Sequence, residues 1–401
     1  MRNNIQVDSL VNKRTLRLPC YTLCILIVGV LGVLPVLPQA ITQILRPMFL
    51  GTCLFISLAA YYPMSRAIKW QIVTIVYYLM ILLLNTITKT AIMAYASTVL
   101  YMLMFIFAAQ IRWSNREIRL IINVVIISCL WMAIASVYSN PNILHSSGSS
   151  HLYYFGIQMN RNSIAFELVP GAVSALFMLL YNKQNCRLPR LRMLFYAMSC
   201  MVIAFTIFAI GCRSAFFAAA GGMSLVLWSK AGTGRTKESR LFGRTFVVCL
   251  IVATLLMAMS ISTGTYSERL FEFGGEDSDS GRDVLAEQAW EMIDKKPVFG
   301  GGFDYWDNSG GDKLGTHNTF LTIMVFSGYV GGAFLAVFLI SFLIEMLKTK
   351  NLIPIAFSMQ TLFFIRTESD MSYYAYIPLF LAFIILRRIQ YNSRKVSSIF
   401  E

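Results

Sequence analysis

Long apolar runs separated by short polar breaks fill most of the 401-residue chain. Reading each run as a helix places apolar spans near 18–36, 47–63, 70–87, 91–110, 120–138, 163–181, 193–210, 212–229, 245–262, 319–344, 352–365 and 371–386. Many are close to 18 residues or longer, the length that crosses a bilayer core. One such run could be a buried core helix, but about a dozen exceed what a soluble core can hide. The pattern predicts an all-α integral membrane protein of about 12 transmembrane helices. The first run is followed by further spans, so it reads as a retained helix rather than a cleaved leader.

The segments between spans divide into two kinds. Segments on one side are short and basic, with Arg112, Arg116 and Arg119, then Arg187, Arg190 and Arg192, then Lys237, Arg240 and Arg244, and finally Arg387, Arg388 and Arg394. Most of the 34 basic residues fall on that side and most of the 20 acidic ones on the other. Basic loops face the cytoplasm, so both termini are expected inside. The organisation is then a cytoplasmic tail over 1–17, nine spans over 18–262, a large outer loop over 263–318, three spans over 319–386 and a cytoplasmic tail over 387–401. The net charge of +14 therefore reports orientation and anionic lipid headgroups rather than nucleic acid.

Composition adds that 57% of residues are hydrophobic and 13% charged, as a membrane protein requires. The eight cysteines lie in or beside spans or in an inner loop, and no CxxC or histidine spacing implies a metal. No cofactor is expected. No phosphate-binding glycine loop faces the cytoplasm, which argues against a nucleotide-driven enzyme.

Within the large loop, "RDVLAEQAWEMIDKKP" places Leu285, Ala289, Met292 and Ile293 at helical spacing. Ser280 and Asp283 have capping-box spacing, and Pro297 stops the run. An amphipathic helix of about four turns, on or near the outer membrane surface, is predicted. The following "FGGGFDYWDNSGG" reads as a glycine-rich linker that either packs against a ligand or is simply flexible.

Four outer positions carry candidate chemistry. Arg213 sits between two apolar runs with almost no loop, where a charge costs about 2–3 kcal/mol without partners. It either snorkels to headgroups or aims a planar fork at phosphate or carboxylate. Arg282 opens the amphipathic helix and is either a solvated helix-end charge or, since this is the wrong end for a cation, a residue facing an external anion. Arg161 is either an interfacial anchor or a ligand group, and the flanking Asn160 and Asn162 either cap the next helix or bond sugar hydroxyls. His317 precedes a span and is either a satisfied interfacial histidine or a general base or donor. Asn318 either caps that helix or contacts sugar. Glu167, in a span's outer turn, could pair with Arg213. His145 and His151 fit a polar loop, and Arg366, Glu368 and Asp370 a charged turn. Together these imply an anionic ligand at the outer surface that offers hydroxyls.

Four segments in order, "QMNRNSIAF", "GCRSAFFAAAGG", "SGRDVLAEQAWEMIDKKPVFGGGF" and "GTHNTFLTIMVFSGYVGG", resemble the O-antigen ligase/polymerase superfamily over roughly residues 155–335. The resemblance implies a GT-C-like fold and a metal- and nucleotide-independent glycosyltransferase at the outer face of the inner membrane. It implies an undecaprenyl-diphosphate-linked glycan as donor. It places functional positions on Arg213, Arg282 and His317, with Arg161 and Asn162 as weaker counterparts. The expected activity is polymerisation of lipid-linked repeat units, with a chain-length regulator as a partner. The alternatives are ligation of the glycan to lipid A–core, and transport of a lipid or anion. The arginines would stabilise the leaving diphosphate, and His317, Asp283 or Glu287 would take the acceptor proton.

Overall fold

The computed structural model describes residues 18–28, 62–141, 143, 151–154, 157–181, 189–233, 236–241, 243–245, 247–248, 282–311, 315–367 and 373–392. The helices in chain order are α1 (Leu18–Val28), α2 (Arg66–Leu84), α3 (Lys89–Gln110), α4 (Asn115–Ser139), α5 (Arg161–Tyr181), α6 (Pro189–Ile210), α7 (Arg213–Ala231), α8 (Arg282–Lys295), α9 (Tyr305–Asn308), α10 (Thr319–Lys348), α11 (Ile353–Thr367) and α12 (Tyr373–Asn392). Six of them, α2 to α6 and α10, are long and apolar enough to cross a membrane. The protein is a helical integral membrane protein. The expected spans 47–63 and 245–262 lie almost wholly outside the described residues, as do Ser280, His145, Glu368 and Asp370. One small departure from an all-α fold is an antiparallel ribbon, β1 (His151–Tyr154) and β2 (Ile157–Asn160), with His151 opposite Asn160. It occupies the loop in which only polar loop structure was expected.

Helix α5 is the centre of the bundle and packs on α4, α6, α7 and α11. Its sequence should weaken it, because Pro170 has no N–H to donate to the Phe166 carbonyl one turn back. Gln360 on α11 supplies that bond, its Nε2 lying 2.7 Å from the Phe166 oxygen. In the membrane such freed carbonyls need a protein partner because no water is present. Beside the proline, a Cβ on Gly171 would lie 2.3 Å from Cys129 Cβ, so glycine lets α4 and α5 approach.

Helix α10 is broken rather than continuous. Gly328 has φ 66° and ψ −172°, a conformation open essentially to glycine alone. The chain segment after α8 fills the break. Gly301 N and Gly302 N donate to the Val325 and Phe326 carbonyls, both at 3.0 Å. The Pro297 and Val298 carbonyls accept from Tyr329 N at 2.8 Å and Val330 N at 3.4 Å. From α2, the Tyr77 hydroxyl donates to the Ser327 carbonyl at 2.6 Å. Every group named here that the break releases is therefore satisfied within the chain. The glycine-rich stretch read as a ligand-facing or flexible linker is, over Gly300–Gly302, a structural plug: a Cβ on Gly300 would meet the Phe326 carbonyl carbon at 2.4 Å.

The amphipathic helix forms as expected, with Leu285, Ala289, Met292 and Ile293 as its buried residues. Its apolar face packs against protein instead of lipid, meeting Leu321 and Val325 of α10. Because the plug ties the end of α8 to the middle of α10, α8 runs back along the first half of α10. Its Arg282 end thus lies toward the start of α10.

Candidate functional site

The ribbon leads directly into α5, and Asn160 at its end accepts from Asn162 N at 2.8 Å. Asn160 therefore takes the capping role between the two readings of the asparagines. Arg161 is the first residue of α5 and only 3% exposed. Its Nε donates to the Ile210 carbonyl at the end of α6. This differs from an interfacial anchor, since a headgroup-facing arginine would be exposed. The guanidinium instead satisfies a helix C-terminus, where a cation is favoured.

One residue beyond Ile210, Gly211 takes φ 73° and lets α6 turn at once into α7. Arg213 is the first residue of α7 and half-buried. Its N-cap, Cys212, makes no side-chain capping bond to the helix. Arg161 thus bonds one side of the tight turn that Arg213 follows. Glu167 lies one helical stretch below in α5 and is fully buried. Burial first, then the Glu167 charge, pushes the Tyr154 hydroxyl up to about 12, so this ribbon tyrosine stays a neutral donor.

The second group lies at the start of α10. His317 has φ 48°, in the left-handed region where histidine is one of few enriched non-glycine types. Thr316 holds that turn: its Oγ1 lies 2.9 Å from the Asn318 carbonyl and 2.6 Å from Thr322 Oγ1. Asn318 caps α10, its Oδ1 accepting from Phe320 N at 3.0 Å and Leu321 N at 3.3 Å. The capped helix below and the threonine latch above fix where His317 starts. Arg282, Asp283 and Glu287 are exposed on α8, away from its packed face.

Sequence reasoning missed Asp304. This carboxylate is 6% exposed, and its Oδ2 accepts from Thr88 Oγ1 at 2.7 Å. Thr88 also caps α3, whose first residue is Lys89. The bond joins the α2–α3 turn to the segment between α8 and α9. Its only sequence signal was an aspartate inside an aromatic, glycine-rich run, which does not distinguish a buried acid from a solvated one.

Helix α11 packs on α5, α7 and α10. At this end of the bundle Arg161, Arg213 and Arg282 each open a helix. Backbone N–H groups point outward there, and the dipole favours an anion. Arg161 turns its guanidinium to the Ile210 carbonyl, while Arg213 and Arg282, each first in its helix, add planar forks near such N-termini.

Residues 197–336, from α6 to the middle of α10, match the family model described as O-antigen ligase. The resemblance to the O-antigen ligase/polymerase superfamily is thereby shown. The matched segment contains Arg213, Asp283, Glu287, Arg282, His317 and Asn318, while Arg161 and Asn162 lie upstream of it. No curated protein sequence matches the chain. Over that segment the chain is similar to a family described as O-antigen ligase.

Proposed function

We propose that the protein polymerises undecaprenyl-diphosphate-linked oligosaccharide repeat units into a surface polysaccharide, O-antigen or capsule, at the outer face of the inner membrane. The observation that carries this reading is the placement of Arg213 and Arg282 at helix starts on the end of the bundle that holds His317. Such an end suits a diphosphate, and a sugar-bearing lipid diphosphate reaches it from the bilayer. A GT-C-like arrangement of about 12 spans, with both termini in the cytoplasm, fits the same reading.

The acceptor hydroxyl attacks the anomeric carbon of the donor sugar. The new C–O bond forms as the bond to the diphosphate oxygen breaks, and the diphosphate leaves with the electron pair. Direct displacement inverts the anomeric centre. Arg213 and Arg282 stabilise the leaving charge, which grows toward the transition state. His317 takes the acceptor proton or donates a hydrogen bond to the reacting oxygens, with Asp283 and Glu287 as the other bases in reach of the proposal. Asn162 and Asn318 Nδ2 would serve sugar hydroxyls. No metal or cofactor has a role.

The description of the matched family favours a second reading, transfer of the glycan to lipid A–core. The two share a donor and differ in acceptor. Purified protein given lipid-linked repeat units alone should lengthen them, and the ladder of products identifies a polymerase. Product only when lipid A–core is added identifies a ligase. Transport is disfavoured because the break in α10 is closed by residues 297–302 instead of lining a solute path.

A further inference from the structure

A buried polar group lies near the plug, in a part of the bundle that the proposed reaction does not use. Gln71, Tyr78 and Tyr376 are 0%, 0% and 5% exposed. Gln71 and Tyr78 stand two turns apart on the buried face of α2. Long side chains on a helix lean toward its N-terminus, which for Tyr78 is the Gln71 side. Tyr376 comes from the first turn of α12, and its hydroxyl accepts from Gln71 Nε2 at 3.3 Å. Tyr376 and Tyr77 are the groups that act electrostatically on Tyr78. The Tyr78 ring packs edge-on against Phe326 at 5.2 Å and against Phe303, just after the plug, at 6.0 Å.

The hydrogen-bonding needs of these three side chains do not close among themselves. The Tyr78 hydroxyl and Gln71 Oε1 are buried atoms with no hydrogen-bond partner. Tyr376 receives the Gln71 bond, so its own O–H proton still needs an acceptor, and among the described residues no bond from it is present. Two O–H donors and one carbonyl acceptor therefore remain. Turning the Gln71 amide over lets Tyr376 donate to it, but then a buried NH2 group and the Tyr78 hydroxyl are left in need. Each such group is costly within a bilayer, where bulk water does not reach. The deficit is neutral, so it calls for no ion. A water molecule matches it: two lone pairs serve the two hydroxyls, and one O–H serves the carbonyl. Three hydrogen bonds are the usual number for a buried protein water.

We propose that Gln71, Tyr78 and Tyr376 bind one ordered water molecule between α2 and α12. The water accepts from both tyrosine hydroxyls and donates to Gln71 Oε1. It ties α12 to α2 beside the stacked Phe303 and Phe326 rings, which lie 4.5 Å apart and on which Tyr78 packs. The site thus supports the stretch of α10 where residues 297–302 fill the break.

The test joins a structure to a mutant cycle, both on the full chain purified in detergent. A density map that shows ordered water should hold a peak within hydrogen-bonding distance of Tyr78 Oη, Tyr376 Oη and the Gln71 amide. A map with no such peak, or with Tyr78 Oη bonded directly to protein, would overturn the site. In thermal unfolding, Tyr78→Phe removes one leg of the bridge and should lower the midpoint by about 1–3 °C. A dry, orphaned hydroxyl predicts the reverse, so an unchanged or raised midpoint in Tyr78→Phe would overturn the proposal. Gln71→Leu should lower the midpoint too, and the double variant should lower it by less than the sum, because both changes lose the same water. Strict additivity would overturn the bridge. Tyr376→Phe takes the place of Gln71→Leu in the cycle if the leucine variant fails to accumulate. Tyr95→Phe is the control, since its ring meets the same Phe303 at 5.5 Å but lies outside the triad. An equal loss in Tyr95→Phe would assign the effect to tyrosine packing in general and would also overturn the site.

Discussion

Substituting Gly328 by alanine tests how the candidate site is held. A Cβ at this position would lie 2.2 Å from the Val298 oxygen and 2.3 Å from the Val298 carbonyl carbon. Both are backbone atoms, so the plug itself must move. The backbone at φ 66° and ψ −172° costs alanine about 1–3 kcal/mol. Displacing the plug breaks the bonds from Gly301 N, Gly302 N, Tyr329 N and Val330 N. At about 1 kcal/mol net for each buried bond, they add about 4 kcal/mol. The total, about 5–7 kcal/mol, rivals the whole stability of many domains. Purified Gly328→Ala should therefore unfold at a much lower temperature, or fail to accumulate, and should lose glycan-transfer activity. Gly310→Ala is the control. Gly310 also has positive φ, 80°, but no atom within 4 Å of an added Cβ, so only the local backbone cost remains. Thermal unfolding followed by light scattering, with transfer assayed on the same preparations, separates the two. A Gly328→Ala protein that unfolds within a few degrees of the wild type and keeps full activity would refute the plug argument.

Arg213→Lys keeps the charge and loses the planar fork, so transfer should fall at least tenfold while the protein accumulates normally; full activity in both Arg213→Ala and Arg282→Ala would remove the diphosphate clamp. Gln360→Leu leaves the Phe166 carbonyl unpaired beside Pro170 and should cost about 1–3 kcal/mol in thermal unfolding, whereas an unchanged midpoint would show that the carbonyl finds another donor. Reporter fusions after residues 115, 235 and 395 should report cytoplasm and those at 148 and 300 the outside, and a cytoplasmic signal at 300 would place the arginines and His317 on the wrong side for the proposed reaction.

What the sequence disclosed depends on how local the cause is. The buried face of α8 was legible because Leu285, Ala289, Met292 and Ile293 repeat at helical spacing, a property of one segment. Its partner was not legible, since Leu321 and Val325 meet it only through the fold. The break at Gly328 was hidden for the same reason. Glycine is common in membrane helices, and the groups that repair this break come from residues 297–302 and from Tyr77. Arg161 was left between anchor and ligand group because its partner, the Ile210 carbonyl, is a backbone atom that leaves no mark in the sequence. Asp304 was missed because burial of its carboxylate depends on Thr88, more than 200 residues earlier in the chain. Arg213 and His317 were singled out because each stands at the edge of an apolar run, and Arg282 because it opens an amphipathic one; the structure puts each at or beside a helix start.

The measurement closest to the central claim is the turnover of His317→Ala in chain extension on lipid-linked repeat units, with donor binding measured separately. Loss of a positioned acid–base group lowers turnover by about two to four orders of magnitude. That loss should come with nearly unchanged donor binding, because in the proposed mechanism Arg213 and Arg282 would still hold the diphosphate, and His317→Gln should restore turnover only if the histidine acts as a hydrogen-bond donor. Asn318 must stay intact in these variants, since its Oδ1 caps α10. Near-normal turnover in His317→Ala would contradict the account by removing the reaction from the lip of α10.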